Sequence, residues 1–341
     1  MEEFSDQSVE GISIFNIKGK PNFKEPPDQL RRKIGTITDI SSDGFAALNS
    51  SFLTDGIVIN VESGVESTTP INIIFFNSGL SNQVAHPRVL ISASQNSSAS
   101  IIESYVGGGT DPTLTNSVSE IFVDIGASVS HYRLLDESDD SFDIGYGRVK
   151  VSEGASFKSR SFFKGANIGR YDLNVLIDGE GGSCNLQGLY FTSGSQHMDN
   201  FINIDHAKPN GTSNLFYKGI LDGRSRAVFG GTVLVRREAQ KTDSIQSDKN
   251  LLLSPHAEVD SKPALFIYAD DVKCAHGATA GNIDEDTVFY MRSRGVDLET
   301  ASRLLIYGFA GEIIETVEIE SLREYLQNIF LSSLPSYRFE F

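Results

Sequence analysis

Apolar residues along most of this chain come in short runs that Gly, Asn, Asp and Ser cut off. HYRLLD, RVKVSE, NVLIDG, NLQGLYF, TVLVRR and ALFIYA alternate or run apolar over four to seven residues, the pattern of half-buried or fully buried strands. No helical run of ten residues intrudes between about residue 56 and residue 280. Small residues followed by a β-former recur at Ala99, Ala127, Ala155, Ser183 and Thr212, in steps of 28, 28, 28 and 29. Each sits just after a turn signal: Asn96, Gly126, Gly154, Gly181-Gly182 and Gly211. Further marks at Ala227 and Ala257 fall 15 and 30 residues on, close to a half and a whole period. Short strands on a fixed repeat predict a solenoid in which each turn holds two strands and two bends, with like strands stacked in parallel about 4.8 Å apart. Roughly eight turns fit, a rod about 40 Å long. The rival all-β architectures, a sandwich or a barrel, do not demand repeats in register.

Past Gly281 the pattern changes to helical. Asp284 is placed to cap a helix bearing Val288, Phe289 and Met291, with Gly295 at its C′ position. Asp297 is placed to cap a second, with Leu298, Ala301, Leu305, Phe309 and Ile313 on one stripe. Ser321-Leu-Arg-Glu324 has the form of a capping box before a third. One face of this unit is expected to cover the end of the rod, because solenoid ends need covering; apolar surface left over would be a docking surface. At the other terminus GISIFNI reads as a strand, KEPPDQLRRK as a polar linker, and Phe45, Leu48 and Phe52 as a short helical stripe. The expected fold is mainly β, a parallel β-helix over residues 56–281 between a short N-terminal segment, 1–55, and a small C-terminal α-helical domain, 282–341.

Composition narrows the function classes. The chain has 341 residues and a formal net charge of -16, so it offers no basic face for nucleic acid. Two cysteines ninety residues apart make no disulfide framework and suit a reducing compartment. The acidic start, MEEFSDQSVEG, lacks a signal or transit pattern, and no apolar run approaches eighteen residues, so no membrane span and a cytoplasmic location are expected.

The stretch ADDVKCAHGATAG, 269–281, carries the main candidate chemistry. On a strand Val272, Cys274 and His276 share one face, and Gly277 and Gly281 are placed to end it. Thiolate and imidazole are soft and borderline donors, yet two of them are half a metal site. The competing reading is a buried cysteine stacked inside the coil with a hydrogen-bonded histidine, and spacing alone favours it. Asp270 and Asp271 point to opposite faces and read as turn residues; Cys184 reads as a small apolar residue in a stack. His197, Asp199, His206 and Asp222 suggest a triad only on paper, since no G-x-S-x-G or H-E-x-x-H accompanies them, and their expected role is bonding the backbone of neighbouring turns. Gly107 to Gly109 is a turn, not a phosphate loop. Arg224, Arg226, Arg236 and Arg237 read as a solvated face paired with local acids.

Three long stretches carry a resemblance: IDHAKPNGTSNLFYKGILDGRSRAVFGG, AQKTDSIQSDKNLLLSPHAEVDSKP and IYADDVKCAHGATAGNIDEDTVFYMRSRGV closely resemble the SufB/SufD family of iron–sulfur cluster assembly proteins. The likeness runs from about Phe45 to the third C-terminal helix. Ala275 and Gly277 flank His276 where SufB-like sequences carry acidic residues, so CAHGAT is similar to the SufD branch. The resemblance implies a right-handed parallel β-helix with a reduced N-terminal region, since family members usually have a longer helical segment there. It implies a complex with SufB-like and SufC-like subunits, the ATPase SufC docking on the C-terminal helices. It also implies a transient iron–sulfur cluster at the SufB interface, none being tightly bound by this chain alone. His276 would face SufB as a metal ligand, with Cys274 beside it, and the missing ligands would come from the partner. The chain would then be a scaffold and not an enzyme. Two alternatives stand beside this reading. One is a homodimeric structural rod formed by the isolated chain. The other is a β-helix enzyme acting on polysaccharide, which a clustered Asp, Lys or Arg groove would mark and no single visible face supplies.

Overall fold

The computed structural model describes residues 9–18, 24–79, 83–108 and 111–333. Its centre is a parallel β-solenoid with two faces. One sheet stacks β2 (Ile57–Val61), β5 (Arg88–Ala93), β7 (Leu114–Val123), β9 (Phe142–Val151), β11 (Ile168–Ile177), β13 (His197–His206), β15 (Arg226–Val235) and β17 (Glu258–Ile267) in that order. The second stacks β3 (Ile71–Asn77), β6 (Ser98–Gly107), β8 (Ser128–Asp136), β10 (Ser156–Lys164), β12 (Ser183–Thr192), β14 (Thr212–Leu221), β16 (Asp243–Leu252) and β18 (Lys273–Gly281). The chain alternates between the sheets, so each coil contributes one strand to each. The short β4 (Val84–Ala85) pairs with β7. About eight coils result, as the repeat predicts.

The repeat is less regular than the sequence marks suggest. Successive strands of the second sheet align Ser98, Ser128, Ser156, Ser183, Thr212, Asp243 and Lys273, in steps of 30, 28, 27, 29, 31 and 30 residues. Ala99 therefore pairs with Val129 and not with Ala127, which closes the preceding turn. The corners absorb the difference. Each keeps one residue in the left-handed region, Asn96, Gly126, Gly154, Gly181, Asn210 and Lys241. Their N–H groups donate along the stack, from Asn96 to Ile125 O (2.9 Å) and from Gly126 to Glu153 O (2.9 Å). Gly and Asn suit that conformation at little cost; Lys241 takes it with φ +60°.

Alternate side chains of every strand point into the bore and form one continuous core, from Ile59 and Ile91 through Phe157, Leu186 and Tyr190 to Phe229 and Val233. The bore is not wholly apolar. Glu103 meets His131 at 3.0 Å, and Arg133 meets Asp143 at 2.9 Å between the rings of Tyr105 and Tyr171. These charges are paired, as burial demands. Glycines leave room for large inward neighbours: a Cβ on Gly188 would lie 2.1 Å from the Tyr217 ring.

The flanks are covered unequally. β1 (Ile12–Asn16) pairs antiparallel with β2 and closes the first sheet's leading edge. The polar linker contains a four-residue helix, α1 (Asp28–Arg31), and α2 (Gly44–Ser51) follows. α2 buries Ala46 and Asn49, not the stripe of Phe45, Leu48 and Phe52; the two phenylalanines are exposed. Asn49 sets the orientation by donating to Pro87 O (3.0 Å) and Asn116 O (2.8 Å).

Three helices follow β18: α3 (Glu285–Ser293), α4 (Leu298–Ile314) and α5 (Glu320–Ser333). Asp284 and Asp297 cap the first two as expected, through Thr287 N and Thr300 N, and Gly295 has φ +89°. α5 starts at Glu320, so Ser321 lies inside its first turn and is not a cap. The helices also do not close the rod. They fold back along the outer face of the second sheet, where Ile306, Ile313, Leu326 and Phe330 pack with Tyr132, Phe162, Leu189 and Ile220. The physical reason is that this sheet's outward rows are themselves apolar, so burying them removes more apolar surface from water than a small end cap would. Among the described residues no helix is long and apolar enough to cross a membrane.

Candidate functional site

With the helices on the flank, the far end of the solenoid stays open. Among the described residues β18 pairs only with β16, and β17 only with β15. β18 runs through Gly277 to Gly281, so Gly277 does not end it. Its register fixes the two donors. Cys274 pairs with Ser244 and His276 with Gln246, both on the inward row of β16. Cys274 and His276 thus face the bore as the spacing predicts, but among the described residues no further coil lies above them. Cys184 stands on the same inward rung as Cys274, three coils back. With coils on both sides it is buried, and burial pushes its thiol far up. Cys274, with a coil on one side only, is half-buried; burial, and then the Asp243 charge, push its thiol above the ordinary value. His276 is exposed, and its imidazole makes no hydrogen bond among the described residues.

The surface around the pair is flat and adhesive. Ala278, Ala280 and Gly281 complete an exposed strand of small residues, and a Cβ on Gly277 or Gly281 would meet nothing within 4 Å. The last strand of the first sheet adds exposed Phe266 and Ile267, and Tyr268 just past its end is 63% exposed. Two open strand edges and an apolar rim are a template for another chain. Chemically the mouth supplies one thiol and one imidazole. Among the described residues no three His, Cys, Asp or Glu side chains come together as a metal cage, so these two donors need ligands from elsewhere to hold a metal.

The other sequence candidates do not gather into a site. Asp270 and Asp271 lie in the bend before β18. His197 and Asp199 pair at 2.7 Å on the outer face of β13, whereas His206 is buried in the bore with Nε2 2.9 Å from Ser213 Oγ. The strand's alternation separates them, which removes a triad. Their bonds go to side chains, not to the backbone of neighbouring turns. Of the four arginines, Arg226 pairs with Asp260 and Arg236 with Asp205.

Comparison with known proteins decides the family. The profile of the SUF-system iron–sulfur cluster assembly SufBD core domain matches residues 75–309. The chain belongs to the SufBD family. It is similar to a SufBD family protein of Synechocystis, 34% identical over 309 residues, 88% of this chain and 68% of that one. It is similar to the iron–sulfur cluster assembly protein SufD of Escherichia coli, 31% identical over 288 residues, 84% of this chain and 68% of that one. It is also similar to the chloroplastic protein ABCI7 of Arabidopsis thaliana, 33% identical over 314 residues, 89% of this chain and 66% of that one. The chain spans about two thirds of the length of these relatives. Its place is in iron–sulfur cluster assembly, on a fold whose open end presents two potential ligands.

Two features of SufBD geometry escape a linear reading. The first is the polar layer one coil behind His276. Gln246 and Asp248 are both buried, and burial pushes Asp248 up to about 6 against hydrogen bonds from Ser261 and Asn250. Finding it requires the β16–β18 register, which a constant 28-residue period misses. The second is the set of exposed apolar side chains on α3 and α4, where Phe289 (74% exposed), Tyr290 and Leu304 face solvent. The sequence places Val288, Phe289 and Met291 on one helix; that α3 buries Val288 and turns Phe289 outward depends on the flank it packs against.

Proposed function

We propose that the chain is a SufD-type scaffold subunit of an iron–sulfur cluster assembly complex, without catalytic chemistry of its own and acting in the cytoplasm. Its open coil end, at the close of the 56–281 solenoid, pairs with a SufB-like subunit. Its C-terminal helical part, 282–341, docks a SufC-like ATPase. The observation that carries the reading is the uncovered mouth: an inward row that elsewhere is sealed ends in half-buried Cys274 and exposed His276 on an edge strand that pairs on one side only among the described residues. Pairing another chain against β17 and β18 would satisfy the free backbone groups and bring further ligands over the two donors. The cluster is the cargo. His276, with Cys274 beside it, shares in holding it at the interface while the partner supplies the remaining coordination. The exposed Phe289, Tyr290 and Leu304 support the helical docking role. The described part of the N-terminal segment, 1–55, packs through Phe15, Ile17, Leu30 and Ile34 on the first sheet, on the opposite flank from those helices.

The test is co-expression with SufB-like and SufC-like partners. His276→Ala is expected to leave the three-subunit complex intact and to lower its iron and sulfide several-fold. Iron and sulfide equal to wild type would remove the ligand role. Failure of the wild-type chains to co-purify would remove the partner assignment, and a dimer of the lone chain that persists in their presence would favour the homodimeric rod.

A further inference from the structure

The residue stacked directly behind His276 is Gln246, its register partner on β16. Gln246 is 1% exposed, and neither its side-chain oxygen nor its nitrogen has a hydrogen-bond partner. A buried amide left so costs free energy that the fold must recover elsewhere. The fold nonetheless makes room for it. On β15, across the bore, position 231 is glycine, and a Cβ there would lie 2.0 Å from Gln246 Nε2. The carboxamide is thus seated over the first sheet, beneath a terminal histidine whose imidazole is itself without a hydrogen bond among the described residues.

The neighbours on that row are less suited to serve the imidazole. Ser244 already accepts from Ser213 Oγ at 2.8 Å. Asp248 is engaged through Oδ2 by Asn250 and Ser261, both at 2.7 Å, with Oδ1 unpartnered, but its register partner is Ala278, one inward place beyond His276, which sets it off the imidazole's rung. Inward side chains at paired positions of parallel strands stack at the strand spacing of about 4.8 Å, which is hydrogen-bonding reach for two side chains of this length. An imidazole that binds a metal through one nitrogen needs the N–H of the other held by an acceptor, and that bond sets both tautomer and ring direction.

We propose that Gln246 is the positioning residue for His276, its side-chain oxygen accepting the N–H of the ring nitrogen that does not face the cargo. The amide fixes one tautomer and aims the other nitrogen out of the mouth. This rests on His276 being a ligand, and the experiment separates the two claims. In the full chain labelled with ¹⁵N-histidine, long-range proton–nitrogen spectra at mildly alkaline pH report the tautomer of each of the six histidines; His276→Ala assigns the signal. Wild type is expected to show one tautomer at His276. Gln246→Leu is expected to relax it to the mixture of an unrestrained imidazole, and Gln246→Glu, which keeps an acceptor at the same length, to retain it. Gln246→Met is the second variant should leucine fail to fold, and unchanged signals from the other five histidines certify either one. The same tautomer ratio in wild type and in the leucine or methionine variant overturns the proposal. In the co-expressed complex, the same variant is expected to lower iron content, by no more than His276→Ala does, because losing such a partner weakens metal binding. A changed tautomer with normal iron in both this variant and His276→Ala upholds the contact and overturns the ligand reading instead.

Discussion

Lys218 is the residue on which the attachment of the C-terminal helices can be measured. It sits on the outer row of β14 with its side chain 1% exposed beneath α4. Its ammonium donates to Phe309 O at 2.7 Å, pairs with Glu312 at 2.7 Å and lies 4.0 Å from the centre of the Phe309 ring. Lys218→Met keeps the stem and removes the charge. The lost charged hydrogen bond is worth about 1.5–3 kcal/mol and the ring contact about 0.5–2 kcal/mol. Glu312 is more than half exposed and rehydrates, so the ion pair adds at most about 1 kcal/mol. Against these stands the desolvation of the ammonium, several kcal/mol for a buried ion, which burial expresses as a lowered lysine pKa that Glu312 only partly restores. The net expectation is a loss of about 1–2 kcal/mol, confined to the helices. Hydrogen exchange followed by mass spectrometry reads it directly, since about 1.4 kcal/mol is tenfold in the opening equilibrium. Peptides from α4 should exchange roughly tenfold faster while those from β11 and β13 keep their protection. Lys249→Met is the control: its nitrogen reaches Glu312 only at 3.9 Å and is half-exposed, so α4 should be unchanged within about 0.5 kcal/mol. Unaltered α4 protection in Lys218→Met, or loss spread evenly over the coils, would refute the account of the clamp.

Four further outcomes are expected. Asp248, with a folded pKa of about 6 against an ordinary 3.8, binds its proton more tightly folded than unfolded; stability is therefore lost as pH rises from about 4 to 6, on the order of 2–3 kcal/mol, and Asp248→Asn should flatten urea midpoints across that window, unchanged curvature counting against it. Lys241→Gly should raise the urea midpoint by about 0.5–1 kcal/mol of stability by relieving a left-handed lysine, and a lower midpoint would show that the corner needs the side chain. A thiol reagent should modify Cys274 alone in the native chain and both cysteines in denaturant, because Cys184 is sealed in the bore; two native equivalents would contradict the burial. Phe289→Ser should weaken capture of a SufC-like ATPase at least tenfold by surface plasmon resonance without moving the melting temperature, as expected for an exposed aromatic anchor; undiminished capture would place the docking surface elsewhere.

Strand composition and turn residues made the solenoid legible, because each coil spends Gly or Asn at a corner and β-branched or aromatic residues between. They did not make the rungs legible. HYRLLD reads as a plain alternating strand, yet His131 and Arg133 are the inward pair that meets Glu103 and Asp143. A charge is allowed inward only because another coil supplies its partner, and coil lengths of 27 to 31 residues hide which residue that is. The same uncertainty governs the site. Spacing put Cys274 and His276 on one face, and alternation alone made a sealed cysteine the better reading. What alternation cannot carry is where the stack stops. Cys184 and Cys274 occupy the same rung, and the difference between an inert thiol and an available one is the presence or absence of the next coil.

That absence also explains the unequal treatment of the solenoid's ends. β1 turns antiparallel against β2 and blocks the leading edge of the first sheet, the usual protection against edge-to-edge association. At the far end, among the described residues, both sheets finish as bare strands of exposed Gly, Ala and aromatic residues, even though the chain still holds three helices long enough to cover them. Those helices are held to the flank by apolar packing and by Lys218 and Arg160, whose Nε lies 3.0 Å from Thr316 Oγ1. A terminus that could have capped the stack is thus fastened away from it. On the proposed reading a second chain continues the stack at this edge, and a continuing stack would place new side chains above Cys274 and His276 at the spacing of one coil, about 4.8 Å.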